Sequence, residues 1–154
     1  MGHGDCHEES LDQTLVEAFL AGNVNCFRLL YRRHYVMAVG IARSCLYDVH
    51  LAEDAAQEAF AIAFKSLASL ENPDRFPSWL ATICRRTALS IARKRRQLQL
   101  LSNEVPLTTI IDESDERKHQ LYQSLNLLDD PTRELIMLHY FSGLTYEQMA
   151  DLVK

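Results

Sequence analysis

The stretch FPSWLATICRRTALSIARKRR, residues 76–96, decides the fold of this chain. Wound as a helix at 100° per residue, it carries one continuous stripe of mainly apolar side chains, made of Trp79, Leu80, Ile83, Cys84, Thr87, Ala88, Ile91 and Ala92. The opposite side carries four arginines, Arg85, Arg86, Arg93 and Arg96. Such a helix buries one face in a core and offers the other either to water or to a negatively charged partner.

Positive charge is concentrated in this helix although the whole chain is acidic. The protein has 154 residues and a formal net charge of −5, yet six of its 16 Lys and Arg residues lie between positions 83 and 97. Residues 1–97 carry 12 basic and 11 acidic side chains, whereas residues 98–154 carry 4 and 10. Only the first part is therefore suited to a polyanion.

Helical periodicity runs through the rest of the chain, and no stretch alternates as a strand would, so we predict an all-α protein. The predicted helices cover approximately residues 11–20, 24–46, 50–70 and 78–96. A loop with two prolines separates the last two at residues 71–77. Further along, Asp130 and Pro131 predict a helix start with Asp130 as the N-cap. Thr145 and Gln148 form a capping box that opens another helix.

Composition is typical of a soluble globular protein, with 47% hydrophobic and 24% charged residues. The sequence shows neither a secretory signal nor an apolar run of membrane-spanning length, so we expect a cytoplasmic protein without membrane insertion. Cys26, Cys45 and Cys84 fall inside apolar helical patterns and are expected to be buried, reduced thiols. The short HGDCH segment at residues 3–7 is a weak metal motif, and we expect no metal and no cofactor.

A second amphipathic stretch, EDAAQEAFAIAFKSL at residues 53–67, precedes the basic helix. Small and aromatic side chains form its broad apolar face, which is suited to a core. Asp54, Gln57 and Glu58 share a narrow stripe on the other side, beside the small Ala61. Acids early in a helix also suit its dipole, so the stripe alone predicts either a protein-docking face or a favourable dipole interaction.

Together these two stretches resemble region 2 of the sigma-70 family, and most closely the group IV, or extracytoplasmic-function (ECF), sigma factors of bacterial RNA polymerase. The resemblance rests on the D-x-x-Q-E-x-F and F-x-x-W-L motifs, which occur in order at suitable spacings. The tail LNLLDDPTRELIMLHYFSGLTYEQMADLVK, residues 125–154, resembles the start of region 4. The resemblance implies a helical region 2 domain at 1–97, a flexible acidic linker at 98–117 and a truncated helix-turn-helix region 4 domain at 118–154.

The resemblance implies a sigma factor that gives bacterial RNA polymerase its promoter specificity and helps to melt the −10 element. Asp54, Gln57 and Glu58 are expected to contact the clamp helices of the polymerase β′ subunit. The residues expected to contact promoter DNA are Asn72, Asp74, Arg75, Arg85, Arg86, Arg93 and Arg96. The aromatic side chains of the F-x-x-W-L motif are expected to pack in the core rather than to stack on DNA. An anti-sigma factor is expected as a further partner.

The chain departs from the family pattern at two places. Family members carry an Asn and, four residues later, an Asp in the basic helix, where this chain has Arg86 and Ser90. The extra arginine is expected to raise sequence-independent affinity for phosphates. The recognition helix of the helix-turn-helix is missing from the sequence up to Lys154, so this chain is not expected to read a −35 element by the usual route.

These departures leave an alternative open: a sigma-like regulatory protein that binds polymerase or another factor without initiating transcription. An enzyme is not expected, because the sequence contains no Gly-rich phosphate loop and no HExxH motif. Residues 118–154 are fewer than 40, and chains that short are usually marginal alone, so this part is expected to pack on the first domain, to pair with another chain or to fray. The resemblance favours packing on the first domain, because region 4 often folds against region 2 in the polymerase-free state of the sigma-70 family. That packing would hide part of the surfaces for polymerase and DNA.

Overall fold

The computed structural model describes residues 7, 9–102, 120–121, 123–125, 127–142 and 145–153. Within these residues every regular element is helical, which confirms the all-α prediction. The elements are α1 (Asp12–Leu20), α2 (Asn25–Cys45), α3 (Val49–Ser66), α4 (Phe76–Ser102), α5 (Asp130–Ser142) and α6 (Tyr146–Val153), with 3₁₀ turns at Leu67–Ser69 and Pro73–Arg75. None of the helices in the described ranges is long and apolar enough to cross a membrane.

Helices α1 to α4 pack around a shared apolar core. Its largest fully buried side chains include Leu15, Leu30, Ile41, Leu67, Phe76 and Leu80. Phe27 meets Phe60 edge to face with the ring centroids 6.3 Å apart, and Phe64 in the same way at 5.1 Å. Burying apolar surface stabilises by about 25 cal/mol per Å², so these helices form the stable part of the molecule.

An ion-pair cluster joins α1 to α2 at the edge of this core. The carboxylate of Asp12 lies 2.6 Å from Nη1 of Arg33 and 2.7 Å from Nε2 of His34. Burial acts to raise the pKa of Asp12, but hydrogen bonds and charges from His34 and Arg33 outweigh it and hold that pKa below 3.8.

The helix boundaries follow the predicted signals with small shifts. Gly22, in the turn that ends α1, has a φ of 105°, which glycine adopts without strain. The capping box is confirmed, since Oε1 of Gln148 accepts from the Thr145 amide at 2.9 Å and Oγ1 of Thr145 accepts from the Gln148 amide at 3.3 Å. The N-cap of α5 is Asp129 and not Asp130, because Asp129 Oδ2 accepts from the Thr132 amide at 3.2 Å.

Helix α4 is longer than the predicted 78–96. It begins at Phe76, directly after the 3₁₀ turn, and continues to Ser102. The added residues Gln97 to Leu101 are all Gln or Leu, which are good helix formers, and no Gly or Pro interrupts them. The first residues of the predicted linker are therefore helical, while the linker acids at 112–116 lie outside the described residues.

The C-terminal helices pack on the N-terminal unit, as the sequence predicts. Leu138 and Met149 are buried in the same core cluster as the residues of α1 to α4. A polar hook reinforces this contact: Arg133, only 3% exposed, donates to the carbonyl of Ser44 at 3.3 Å and to the hydroxyl of Tyr47. Its guanidinium carbon lies 4.4 Å from the centroid of the Tyr47 ring, within range of a cation–π interaction.

Asp130 completes this Arg133 hook. Its Oδ1 accepts from the Tyr47 hydroxyl at 2.5 Å and from the Arg133 guanidinium. These two hydrogen bonds hold the pKa of Asp130 below 3.8. Burial, together with the bond to Asp130, raises the pKa of Tyr47 above 10. The hook thus fixes the start of α5 against the C-terminal end of α2.

The cysteines fulfil the expectation in part. Cys84 is a buried free thiol, and burial raises its pKa to about 12. Cys45 is also free, and partly buried. Cys26 is buried but disulfide-bonded, so the prediction of a reduced thiol is wrong there. Apolar surroundings predict burial, and they do not distinguish a thiol from a disulfide.

Candidate nucleic-acid interface

A cavity of about 740 Å³ opens where the loop after α3 meets the start of α4. The residues that line it are Ser69, Leu70, Glu71, Asn72, Arg75, Ser78, Trp79, Thr82, Arg85, Arg86 and Gln148. Most of them come from two adjacent segments, whereas Gln148 comes from α6. The cavity therefore lies at the boundary between the N-terminal unit and the docked C-terminal helices.

Short-range hydrogen bonds hold the loop on one side of this cavity in shape. Oδ1 of Asn72 accepts from the amide of Asp74 at 3.0 Å and so starts the 3₁₀ turn. The hydroxyl of Ser78 donates to the carbonyl of Arg75 at 3.0 Å and joins the turn to α4. A loop ordered in this way loses little conformational entropy when it binds a ligand.

Three guanidinium groups surround the cavity, and they differ in their surroundings. Arg75 and Arg86 are exposed. Arg85 is partly buried and donates from Nε and Nη2 to the two carboxylate oxygens of Glu134 on α5, the second at 3.3 Å. This hydrogen bonding raises the pKa of Arg85 above its ordinary value, although burial acts to lower it. Arg85 is thus the one arginine of the cavity that the C-terminal helices engage.

Further along α4, Arg93 and Arg96 are exposed. They extend the positive face of the helix by more than two turns beyond the cavity, as the 100° spacing predicts. Arg95, between them in sequence, lies 3.5 Å from Asp48, which also caps α3 by accepting from the Leu51 amide. The positive face therefore has two parts, one at the cavity and one at Arg93 and Arg96, while the neighbouring Arg95 is paired with Asp48.

The apolar stripe of α4 is confirmed as the face that packs on the core, and Trp79 on this stripe also lines the cavity. Phe76 and Leu80 are fully buried, as expected for core positions. Trp79 packs on Phe76 with centroids 6.1 Å apart, but it is only partly buried and also lines the cavity. The indole therefore serves both the core and the cavity wall, a dual role that the motif alone did not predict.

The stripe on α3 forms a second candidate surface. Asp54, Gln57 and Glu58 are all exposed on the side of α3 that faces away from the core. Ile62, one turn after Glu58, is 40% exposed and adds an apolar side chain to this surface, which sequence reasoning missed. Because residues four apart lie on the same face of a helix, the spacing between Glu58 and Ile62 could have indicated that Ile62 belongs to this surface.

Sequence reasoning also missed Glu134 and Gln148 as neighbours of the cavity. They lie 49 and 63 positions after Arg85, and no local periodicity links residues so far apart. Among the described residues no group of three or more His, Cys, Asp or Glu side chains could hold a metal ion. His3 and Cys6 of the short metal motif lie outside the described residues.

Residues 30–97, which contain α3, the cavity loop and the basic face of α4, match the family model described as Sigma-70 region 2. The chain belongs to the sigma-70 family of RNA polymerase sigma factors. Its relatives include proteins named as ECF sigma factors, in agreement with the predicted group.

Two curated relatives and one solved structure illustrate the match. The RNA polymerase sigma-H factor of Pseudomonas aeruginosa is 28% identical, over 93% of this chain and 82% of the relative. The ECF RNA polymerase sigma factor SigK of Mycobacterium sp. (strain KMS) is 26% identical, over 84% and 72%. A chain in the solved complex of CnrH with the cytosolic domain of CnrY superimposes with a TM-score of 0.66, at 26% identity, and covers 92% of this sigma factor and 82% of that chain.

Proposed function

We propose that this sigma factor directs RNA polymerase to promoters by holding the opened −10 strand in the cavity and along α4. The observation that carries the proposal is the composition of the cavity wall. It combines the exposed guanidinium groups of Arg75 and Arg86 with the indole of Trp79 and the amide of Asn72. Guanidinium groups bind phosphates, aromatic rings stack on bases, and amides recognise base edges.

The energetics of strand opening support this arrangement. Taking a base out of the stack costs a few kcal/mol, so contacts inside a pocket have to offset that cost. Stacking on an aromatic ring contributes about 1–3 kcal/mol per base. Beyond the cavity, Arg93 and Arg96 hold successive phosphates, and each neutralised phosphate of a single strand contributes about 0.7 to the salt slope. Asp74 does not line the cavity; it is exposed in the 3₁₀ turn between Asn72 and Arg75, where it remains a proposed contact for the DNA strand.

We propose that the exposed stripe of α3 binds the β′ clamp helices of the polymerase. Asp54, Gln57 and Glu58 supply negative charge and hydrogen bonds, and Ile62 supplies apolar area beside them. A partner surface with basic residues around an apolar groove complements this stripe. Reversing the charge of both Asp54 and Glu58 should weaken binding to core polymerase while the helical content stays unchanged.

The proposed function is tested by run-off transcription with core polymerase and Arg86→Ala. Arg86 is exposed on the cavity wall, so its loss should lower the salt slope of single-strand binding by about 0.7 and reduce the yield of transcript. Arg28→Ala is the matched control, because this exposed arginine on α2 does not line the cavity. Equal losses in both variants would contradict a role for the cavity.

The alternative, a sigma-like regulator that does not initiate transcription, is favoured by one observation. Arg85 is already engaged by Glu134, so part of the positive face is occupied in this state. Binding to core polymerase without any run-off transcript would support the regulator.

We also propose that the chain acts in the cytoplasm and that an anti-sigma factor controls it. The solved complex of CnrH with the cytosolic domain of CnrY supports a regulator of this kind. Co-purification of the sigma factor with such a protein from its native host tests this partner, and recovery of the sigma factor only with polymerase would argue against it.

A further inference from the structure

The guanidinium group of Arg85 takes part in two features of the structure. It lines the cavity together with the exposed Arg75 and Arg86, and it also binds both carboxylate oxygens of Glu134 on α5. A guanidinium fork binds a carboxylate or a phosphate with the same two-bond geometry. The group therefore cannot hold Glu134 and a phosphate of a DNA strand in that way at the same time.

We propose that Glu134 is an internal competitor for single-stranded DNA, because its carboxylate occupies at Arg85 the place of a backbone phosphate. Docking of α5 and α6 on the N-terminal unit and binding of the strand then oppose each other. The inference rests on the proposed DNA-binding role of the cavity, and it adds a specific residue that controls access to it.

The burial of the pair supports competition rather than simultaneous binding. The side chains of Arg85 and Glu134 are only 21% and 12% exposed. Gln148 of α6 forms part of the cavity wall beside them. A strand that reaches Arg85 has to displace Glu134, and movement of α5 also carries α6 and Gln148 away from the cavity, since the two helices are consecutive.

The docked state is suited to release. Among the described residues, the C-terminal helices add two buried apolar side chains to the shared core cluster, Leu138 and Met149, and Met137 on α5 is buried as well. The Arg133 hook consists of hydrogen bonds and a cation–π contact, and water can take over these hydrogen bonds when α5 moves away. Charge also favours reversible docking, since residues 98–154 carry 4 basic and 10 acidic side chains and the arginine face is positive.

Competition of this kind is a coupling between two binding events, and it is reciprocal. Weaker docking should give tighter DNA binding, whichever contact is used to weaken docking. Typical couplings are 5- to 150-fold, and we expect about ten-fold here because the pair is partly exposed to water.

The test measures binding of a fluorescein-labelled single-stranded 12-mer to the full chain by anisotropy, at constant salt. Glu134→Gln removes the competing charge at Arg85. Tyr47→Phe weakens docking through the Arg133 hook and leaves Glu134 in place. Glu147→Gln is the matched control, because it removes one exposed acid from α6 without touching Arg85. The docked state is followed separately by acrylamide quenching of Trp79, the single tryptophan.

We expect Glu134→Gln and Tyr47→Phe each to bind DNA about ten-fold more tightly than the parent, with Glu147→Gln within about two-fold of it. In an Arg85→Ala background the gain from Glu134→Gln should vanish, because the guanidinium group for which Glu134 and the phosphate compete is absent. A gain in Glu134→Gln that Tyr47→Phe does not share, although Trp79 becomes more accessible, would reduce the effect to simple charge removal and overturn the competition. Absence of DNA binding in every variant would instead overturn the proposed function itself, and the competition with it.

Discussion

The N-terminal unit, α1 to α4, and the C-terminal pair, α5 and α6, are held in place by different forces. The core of α1 to α4 is apolar, with Leu15, Phe76 and Leu80 fully buried. Among the described residues, the C-terminal pair adds Leu138 and Met149 to that core, buries Met137 as well, and is held in addition by the polar contacts of Arg133 and Glu134. Apolar burial is hard to undo without unfolding, whereas polar contacts exchange with water or with another charged partner. The difference indicates that α1 to α4 form a permanent unit and that α5 and α6 form a removable unit, which can leave the first without unfolding it.

The largest effect is expected from a break in the permanent unit. Phe76→Ala empties a fully buried site beside His34 of α2 and Trp79 of α4, and should lower the free energy of unfolding by about 3–5 kcal/mol. Urea denaturation followed by circular dichroism measures this. Tyr140→Ala, an aromatic change at a site 80% exposed on α5, is the control and should have little effect. Equal losses at both sites would contradict the contrast between the two units.

A smaller effect is expected where the removable unit is hooked on. Arg133→Met keeps most of the apolar stem and removes the hydrogen bonds to Ser44 and Tyr47. Docking should weaken by about 2–3 kcal/mol, because hydrogen bonds of a charged group contribute about 1.5–3 kcal/mol. Trp79 should then become easier to quench with acrylamide, while α1 to α4 keep their helical signal. Loss of the whole helical signal would show that the two units fold as one.

The capping box of α6 offers a finer test of the same contrast. Thr145→Ala removes the oxygen that accepts from the Gln148 amide and should cost about 1 kcal/mol. The effect should be confined to α6 and the cavity wall, and hydrogen exchange in α6 measures it. Thr145→Ser keeps the hydroxyl and should behave like the parent. If hydrogen exchange in α6 were as fast in Thr145→Ser as in Thr145→Ala, the hydroxyl of Thr145 would not be the cap.

The smallest effect concerns pH. The pKa of Asp130 in the docked state lies below its ordinary value of 3.8. The carboxylate therefore stabilises docking fully at pH values well above 3.8, and this stabilisation is lost as the pH falls through the pKa of the docked state. In Asp130→Asn this pH-dependent step in Trp79 quenching should be absent, and docking at neutral pH should be slightly weaker. The change is small because the side chain is 80% exposed and well screened. An unchanged acid profile would remove Asp130 from the hook.

Local features of this fold were predictable from the sequence, and long-range pairs were not. Periodicity predicted the apolar stripe of α4, and the Thr145 and Gln148 pattern predicted the start of α6. The Asp129 cap was misplaced by one position because both neighbouring residues are Asp and either suits a helix start. The short length of the C-terminal part left packing, pairing and fraying open, and the resemblance favoured packing on the first domain, but neither predicted the contacts. Arg85 meets Glu134 across 49 positions, and no local pattern indicates that a charged residue such as Arg133 is buried.

The candidate surfaces likewise contain residues whose exposure the sequence predicted and a cavity that it could not predict. All three residues of the α3 stripe are exposed as the helix geometry predicts, and so are Arg86, Arg93 and Arg96 on α4. The cavity could not be predicted, because its wall requires Gln148 of α6 and one side of Trp79. Both depend on how the two units meet. A pattern in one helix gives the face of a side chain, and only packing decides which other element covers that face.

The central claim is that promoter DNA and the C-terminal pair compete for the basic face of α4. Hydrogen exchange on the full chain, with and without a saturating single-stranded −10 oligonucleotide, tests it most directly. We predict that the oligonucleotide slows exchange in the cavity loop and at the start of α4 and speeds exchange in α5 and at the C-terminal end of α2. Slower exchange in α5 together with α4 would mean that the pair stays docked over bound DNA, and would contradict the claim.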